Sequence, residues 1–190
     1  MDRRKAIKHT AFLLGTSVAG SELFLSGCTS GREDYKSFDS KAIALMDEIG
    51  ETILPESERS PGAKSAGIGI FMAKMITDCY SSAERTIFMD GLNKIDELSQ
   101  KTHSKDFVAL SSQQRTEILI PLDREAAETD QDGPSHFFSL IKQLTLLGYF
   151  TSEIGVTQAL RYDPVPGGYD GCVPLEKGQT AWFGPTSSIG

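Results

Sequence analysis

The run from Leu144 to Phe150 constrains the fold most, because it is apolar on almost every side of a helix. The residues before it show a single apolar face at helical spacing, formed by Phe137, Leu140, Ile141 and Leu144. A helix that has no polar face is normally buried on all sides. The sequence therefore predicts that this segment lies in the central helix of the domain.

A long irregular tail follows this helix. Residues 163–175 contain prolines and glycines too densely for a helix or a central strand. The tail still carries large apolar side chains, including Trp182 and Phe183. A segment with little backbone pairing and several such side chains either packs on its own helices or is held by a partner protein.

Two amphipathic segments begin the domain. Asp39 is a good N-cap for the first, and Pro55 ends it. After a loop that reaches Gly67, the second presents one apolar stripe at a period of 3.6 residues. That stripe consists of Ile68, Phe71, Met72, Met75, Ile76 and Cys79.

Three further helices complete the prediction. Capping boxes at Ser81 and Ser111 start the third and fourth helices, and a polar break around Gln100 to Asp106 separates the two. Pro121 predicts a kink or break in the fourth. The sequence Asp132-Gly133-Pro134 starts the fifth helix, and Thr151 or Ser152 caps a last short one that runs to Leu160. No stretch shows the alternation of a strand. We expect an all-α single domain of about five or six helices with a long irregular Pro/Gly-rich C-terminal tail.

The N-terminal residues are typical of an export signal. Arg3 and Arg4 form a twin-arginine pair, and a short apolar stretch ends in Leu25-Ser26-Gly27-Cys28, which resembles a lipobox. The alternatives are a plain secretory signal or a chance cysteine. We expect residues 1–27 to be a twin-arginine lipoprotein signal peptide, residues 28–37 a lipidated tether and residues 38–190 the helical domain.

Composition excludes several classes of function. The chain of 190 residues has a net charge of −7, and residues 28–190 hold 15 basic and 24 acidic side chains, a net of −9. Such an acidic domain has no electrostatic basis for binding nucleic acid or anionic lipid. Its length allows one domain with a core, but not a flavin domain together with a substrate domain.

The residues offer little for catalysis or cofactor binding. Gly67-Ile68-Gly69 lacks the third glycine and the strand of a dinucleotide site, and no Cys-x-x-Cys-His is present for haem. His103 and His136 have no neighbouring cysteine, which favours ordinary solvated or hydrogen-bonded residues over a metal site. Asp123 and Glu125 point in different directions on a helix, which favours a solvated face over an acid–base pair.

Several short blocks resemble one known family. They are Leu144–Glu153 (LTLLGYFTSE), Ala159–Gly171 (ALRYDPVPGGYDG), the Val173-Pro174-Leu175 that follows, Ile53-Leu54-Pro55, Pro61-Gly62-Ala63-Lys64 and Leu122-Asp123-Arg124-Glu125-Ala126. These residues resemble the gluconate 2-dehydrogenase subunit 3 family over the chain after residue 38. The C-terminal blocks are the most specific. The resemblance implies the small, cofactor-free subunit of a membrane-associated dehydrogenase, whose large subunit is a flavoprotein of the glucose–methanol–choline type, often with a cytochrome c.

We therefore expect a non-catalytic accessory subunit of an FAD-dependent sugar or sugar-acid dehydrogenase, with FAD in the partner and haem c in a third subunit. A twin-arginine signal suits this role, since a flavoprotein that is loaded in the cytoplasm needs export in the folded state. The expected location is the cell envelope, lipid-anchored and facing the periplasm. The alternative is a free-standing lipoprotein binding module without an oxidoreductase partner. Candidate partner contacts are Tyr149, Glu153, Arg161, Tyr162, Pro164, Pro166, Tyr169 and Trp182, although structural roles compete at Glu153, Arg161 and Tyr162.

Lipidation of Cys28 would leave two cysteines, Cys79 and Cys172, in a compartment where disulfides persist. Three states remain open. The two cysteines form a disulfide that closes a loop of roughly 90 residues, stay as two thiols, or leave Cys172 to bridge to the partner. A buried thiol on the apolar stripe of its helix is the ordinary state for Cys79.

The lipid is predicted to be the membrane anchor, since an acidic soluble domain has no other means of attachment. Changing Cys28→Ala should release the protein into the soluble fraction of fractionated cells. Retention of the variant in salt-washed membranes would show that the lipid is not the anchor.

Overall fold

A computed structural model describes residues 38–129, 136–165, 172, 174 and 176–183. The predicted signal peptide and tether, the Asp132-Gly133-Pro134 turn, and the candidate contacts Pro166 and Tyr169 lie outside these residues. The described chain confirms the all-α prediction. Its helices are α1 (Ser40–Ile53), α2 (Ile68–Cys79), α3 (Ser82–His103), α4 (Ser112–Thr129) and α5 (Phe137–Thr151). None of the helices in the described part of the chain is long and apolar enough to cross a membrane.

Shorter elements connect the helices. Turns of 3₁₀-helix occupy Ala63–Ala66 and Phe107–Ala109, and a single π-helical turn, Gly155–Ala159, follows α5. A minimal parallel sheet pairs β1 (Arg161–Tyr162) with β2 (Trp182–Phe183). No strand was expected, because two-residue strands are too short to show an alternating pattern.

Local caps start the helices where the sequence predicts them. The Asp39 side chain accepts a hydrogen bond from the amide of Ala42, and Ser81 and Glu84 form a reciprocal capping box. Ser111 and Gln114 make the same pair of contacts at the start of α4. These short-range hydrogen bonds satisfy amides that have no partner within the helix.

Two helix boundaries differ from the prediction, and one helix continues through an internal proline. The helix α3 continues to His103, through residues that were expected to form a polar break. The helix α4 is not broken at Pro121. Proline has no amide hydrogen to donate to the carbonyl of Glu117, but both residues are exposed to solvent. The helix α5 begins at Phe137, later than the predicted start at Asp132-Gly133-Pro134. His136 is the N-cap, and its Nδ1 accepts from the amide of Phe138.

The helix α5 is central, because it packs against each of α1, α2, α3 and α4. The core contains large side chains that are almost fully buried, two of them from α5 itself: Met46, Ile49, Met72, Phe88, Ile95, Phe107, Ile141 and Leu144. The expectation that Leu144–Phe150 is buried on every side was wrong. Leu146 and Leu147 are 38% and 47% exposed, because the other helices cover only one broad face of α5.

Glycines allow close approach at two points. A side chain at Gly69 would collide with the carbonyl oxygen of Ile43, so α2 can lie against α1 only without one. A side chain at Gly155 would collide with the carbonyl oxygen of Tyr149, where the chain leaves α5 for the π turn. Both glycines therefore fix how an element leaves or approaches the helix bundle.

Tyr149 connects the central helix to the loop before α2. Its ring is 3% exposed, and its hydroxyl donates a 2.6 Å hydrogen bond to the carbonyl of Pro61. Removing the hydroxyl would leave the Pro61 carbonyl without this donor and would create a small gap at the edge of the core.

Changing Tyr149→Phe should lower the free energy of unfolding by about 1–2 kcal/mol. The matched control is Tyr162→Phe, which removes the same hydroxyl from an exposed ring and should change stability by less than about 0.5 kcal/mol. Urea unfolding followed by circular dichroism measures both, and equal losses would contradict the structural role of the buried hydroxyl.

Candidate functional site

Acidic side chains of α1 hold the loop between α1 and α2. The Asp47 carboxylate accepts a 2.7 Å hydrogen bond from the amide of Gly69 in the first turn of α2, whose N-cap, Gly67, has no side chain. The Glu51 carboxylate accepts from the amides of Glu56 and Lys64 at 3.0 and 2.9 Å. These carboxylates satisfy the helix-start amides that a local capping residue would otherwise bind. They therefore hold the loop and the first turn of α2 on α1.

Glu48 lies between two cations at the edge of the core. Its carboxylate forms an ion pair with the Arg115 guanidinium and a 2.5 Å contact with the Lys64 ammonium. The hydrogen bond to Glu48 raises the pKa of Lys64 above its usual value, and the negative charge of Glu48 contributes the next largest part of this rise. Arg115 also donates to the carbonyls of Phe107 and Val108, at 3.3 and 2.8 Å. The cluster thus joins α1, α4 and both 3₁₀ turns.

Blocks that carry the family resemblance meet at this loop. The amide of Ala63 donates to the carbonyl of Leu54 at 2.9 Å, which joins the Ile53–Pro55 block to the Pro61–Lys64 block. Tyr149, from the Leu144–Glu153 block, donates to Pro61. These blocks are far apart in the sequence and in contact in the fold. Their contacts explain why a chain of this kind contains them together.

The carboxylates and histidines on α3, α4 and α5 connect helices. Asp123 pairs with Lys142 at 2.6 Å, and Glu125 pairs with Lys94 at 3.1 Å. The Lys94 hydrogen bond lowers the pKa of Glu125. Asp123 and Glu125 therefore have separate basic partners, Lys142 on α5 and Lys94 on α3.

Each histidine of the described chain has a polar neighbour. His103 lies in the last turn of α3. Its Nδ1 is 3.4 Å from the side-chain Nε2 of Gln114, and its Nε2 is 3.9 Å from a carboxylate oxygen of Glu117. His136 uses Nδ1 as the α5 cap, and its Nε2 lies 3.6 Å from Glu125. Within the residues that the structure describes, no group of three or more His, Cys, Asp or Glu side chains could hold a metal ion.

The chain beyond α5 forms an exposed edge, which we call the tail edge: Arg161, Tyr162, Val165, Trp182 and Phe183. The two strands are joined by hydrogen bonds from Arg161 N to Ala181 O at 2.8 Å and from Asp163 N to Phe183 O at 3.0 Å. The Arg161 guanidinium lies 3.8 Å from the centre of the Trp182 ring. Tyr162, Val165 and Trp182 remain exposed by 48%, 80% and 53%. Arg161 and Tyr162 thus pair with the tail residues Trp182 and Phe183.

A sharp turn connects α5 to the tail edge. The Ser152 hydroxyl accepts from the amide of Gly155 at 3.0 Å, which confirms Ser152 as a cap. The π turn then closes with a hydrogen bond from Leu160 N to Gly155 O. Glu153 at the start of this turn is exposed, as is Pro164. Tyr149 is different from these candidates, because it is a core residue and does not belong to the surface.

The position of Cys79 differs from the prediction. Cys79 is an exposed free thiol at the end of α2 and does not lie on the buried stripe, because the helix turns that position outward at its last residue. Cys172 is also exposed. The Cys79–Cys172 disulfide is not formed in this structure, and its formation in the exported protein stays a prediction.

Sequence reasoning missed Leu146 and Leu147 as surface residues. The signal was present, because the segment contains more apolar residues than one buried face requires. It was interpreted as complete burial within this chain. The other interpretation is that this chain leaves part of the apolar surface of α5 uncovered, and that interpretation agrees with the exposure of Leu146 and Leu147.

The fold and surface define a small all-helical protein whose buried charges stabilise its own loops and which exposes an aromatic edge. The sequence model of the gluconate 2-dehydrogenase subunit 3 family matches residues 40–167, more than half of the chain. The chain therefore belongs to the gluconate 2-dehydrogenase subunit 3 family. No curated protein and no solved structure matches it.

Changing Glu48→Ala should lower the free energy of unfolding by about 3 kcal/mol, since it leaves the nearly buried Arg115 without its carboxylate. The control Glu125→Ala breaks an exposed pair with Lys94 and should cost less than about 1 kcal/mol. Thermal and urea unfolding test both variants. A loss at Glu48 no larger than the loss at Glu125 would contradict the structural role of the cluster.

Proposed function

We propose that this chain is a non-catalytic accessory subunit of a membrane-bound, FAD-dependent dehydrogenase of sugars or sugar acids. The observation that carries the proposal is the family match over residues 40–167, since the family is named for a subunit of gluconate 2-dehydrogenase. In this role the chain supports the export, stability or membrane attachment of a flavoprotein of the glucose–methanol–choline type. A cytochrome c is the third component that the proposal includes.

The chemistry of the described residues supports a binding role. Asp47, Glu48 and Glu51 bind loop amides and cations within the fold, so their carboxylates are already engaged. The tail edge is different, because its Trp, Tyr and Arg side chains are exposed. Trp, Tyr and Arg are the residue types that contribute most to protein–protein binding.

The N-terminal residues complete the proposal. Arg3 and Arg4 would direct a folded complex to the twin-arginine route, and a lipid on Cys28 would hold it at the periplasmic face of the cell envelope. The exported unit would be the flavoprotein with its cofactor, together with this chain. FAD would belong to that partner and haem c to the third subunit.

The proposal predicts that the full chain, purified with a mild detergent from its native host, carries a stoichiometric large subunit with a flavin absorbance spectrum. The same chain expressed alone should be colourless and should not oxidise gluconate or glucose with an artificial electron acceptor, because the flavin belongs to the partner. Absorbance spectroscopy and mass spectrometry of the purified material measure both results.

Two outcomes would contradict this function. Flavin or turnover in the chain expressed alone would make it a catalytic protein. Purification of the native chain without any flavoprotein would favour a free-standing lipoprotein binding module.

A further inference from the structure

The C-terminal half of α5 exposes two neighbouring leucines. Leu146 and Leu147 are 38% and 47% exposed, and the ring of Phe150, one turn further along, is only half-buried. The buried side chains of the same helix, including Leu144 and Tyr149, belong to the core, and Phe150 packs partly against it. Leu146 and Leu147 are not among the side chains of this core cluster or packed against it. We call Leu146, Leu147 and Phe150 the α5 patch.

The described tail does not cover the α5 patch. It leaves α5 through the turn at Ser152 and pairs with residues 181–183 at the tail edge. Residues 130–135 and 184–190 contain one large apolar side chain, Ile189, and the apolar stretch 11–25 belongs to the predicted signal peptide. Tyr35, Tyr169, Val173 and Leu175 are the remaining candidates from this chain, and the experiment below tests for them.

A second copy of this chain is a poor occupant. Residues 28–190 have a net charge of −9, so two identical faces bring together two strongly acidic proteins. A different polypeptide with an apolar surface and a basic rim fits both the leucines and the charge. The proposed function includes one different polypeptide, the large flavoprotein subunit.

We propose that the α5 patch is a docking site for the large flavoprotein subunit. This inference rests on the proposed function and specifies the surface through which it acts. The patch directly precedes the tail edge in the chain, with the Ser152 turn and the Gly155–Ala159 π turn between them. The leucines provide the apolar centre of the contact, while exposed charged and polar residues remain at the periphery, as in other protein interfaces.

The test replaces both leucines by glutamine, Leu146→Gln with Leu147→Gln, in the full chain co-expressed with the flavoprotein. Glutamine has a helix propensity close to that of leucine, so α5 should form normally. The matched control is Ile120→Gln on α4. Ile120 is 47% exposed, the same fraction as Leu147, and it borders a separate groove of about 280 Å³ next to Asp123 and Lys142.

The double variant should bind the flavoprotein roughly tenfold or more weakly, whereas the Ile120→Gln control should bind as the wild type does. Binding is measured by titration in detergent and by the flavin content of the purified complex. Expressed alone, both variants should melt within about 2 °C of the wild type.

Each other outcome overturns the inference in a distinguishable way. If the wild type and the double variant bind the flavoprotein equally, the docking site is elsewhere and the proposed function stands. If the wild type carries no flavoprotein, the proposed function itself fails. A double variant that melts well below the control shows that the tail covers the leucines. A wild-type dimer that the double variant converts to a monomer shows that a second copy does.

Discussion

The ion cluster around Glu48 is the interaction on which the arrangement of this fold depends. One carboxylate binds Arg115 of α4 and Lys64 of the loop before α2, and Arg115 in turn binds two carbonyls of the turn before α4. A nearly buried charge is tolerated only where it is paired and hydrogen-bonded. Satisfying Glu48 and Arg115 therefore fixes α1, α4 and two connecting segments relative to one another.

The same region contains the features that link the chain to its family. Pro61–Lys64 is held from three sides, by the carbonyl of Leu54, the hydroxyl of Tyr149 and the carboxylates of α1. The proposed partner contact would use other residues, the exposed apolar and aromatic side chains at the end of α5 and on the tail edge.

The sequence predicted the features that depend on near neighbours. The caps at Asp39, Ser81 and Ser111 act over three residues, and the apolar periodicity of each helix indicates its buried face. Contacts over longer separations were not predictable in this way. Asp47 caps a helix 22 residues away, and Tyr149 binds a carbonyl 88 residues away. For the same reason Tyr149 was a candidate partner contact as well as a member of the apolar run, since no local pattern places the Pro61 loop next to its hydroxyl.

The candidate site was predictable only in part. Arg161, Tyr162 and Trp182 were selected from residue type, but their pairing across a two-residue sheet leaves no periodic signal in the sequence. Leu146 and Leu147 were noticed as apolar and assigned to the interior, because hydrophobicity alone does not distinguish burial within a chain from burial against a partner. Whether an apolar residue of α5 is buried within the chain depends on how many neighbouring helices reach it.

The central claim is that the end of α5 and the tail edge together form the face that meets the partner. Hydroxyl-radical footprinting reports the solvent exposure of individual side chains, so it can compare this chain alone with the assembled complex. The account predicts that Leu146, Leu147, Tyr162 and Trp182 lose reactivity in the complex, while Ile70, Met89 and Ile120, which are also exposed in the chain alone, keep theirs. Protection of Ile70, Met89 or Ile120 with unchanged reactivity at Leu146, Leu147, Tyr162 and Trp182 would contradict it.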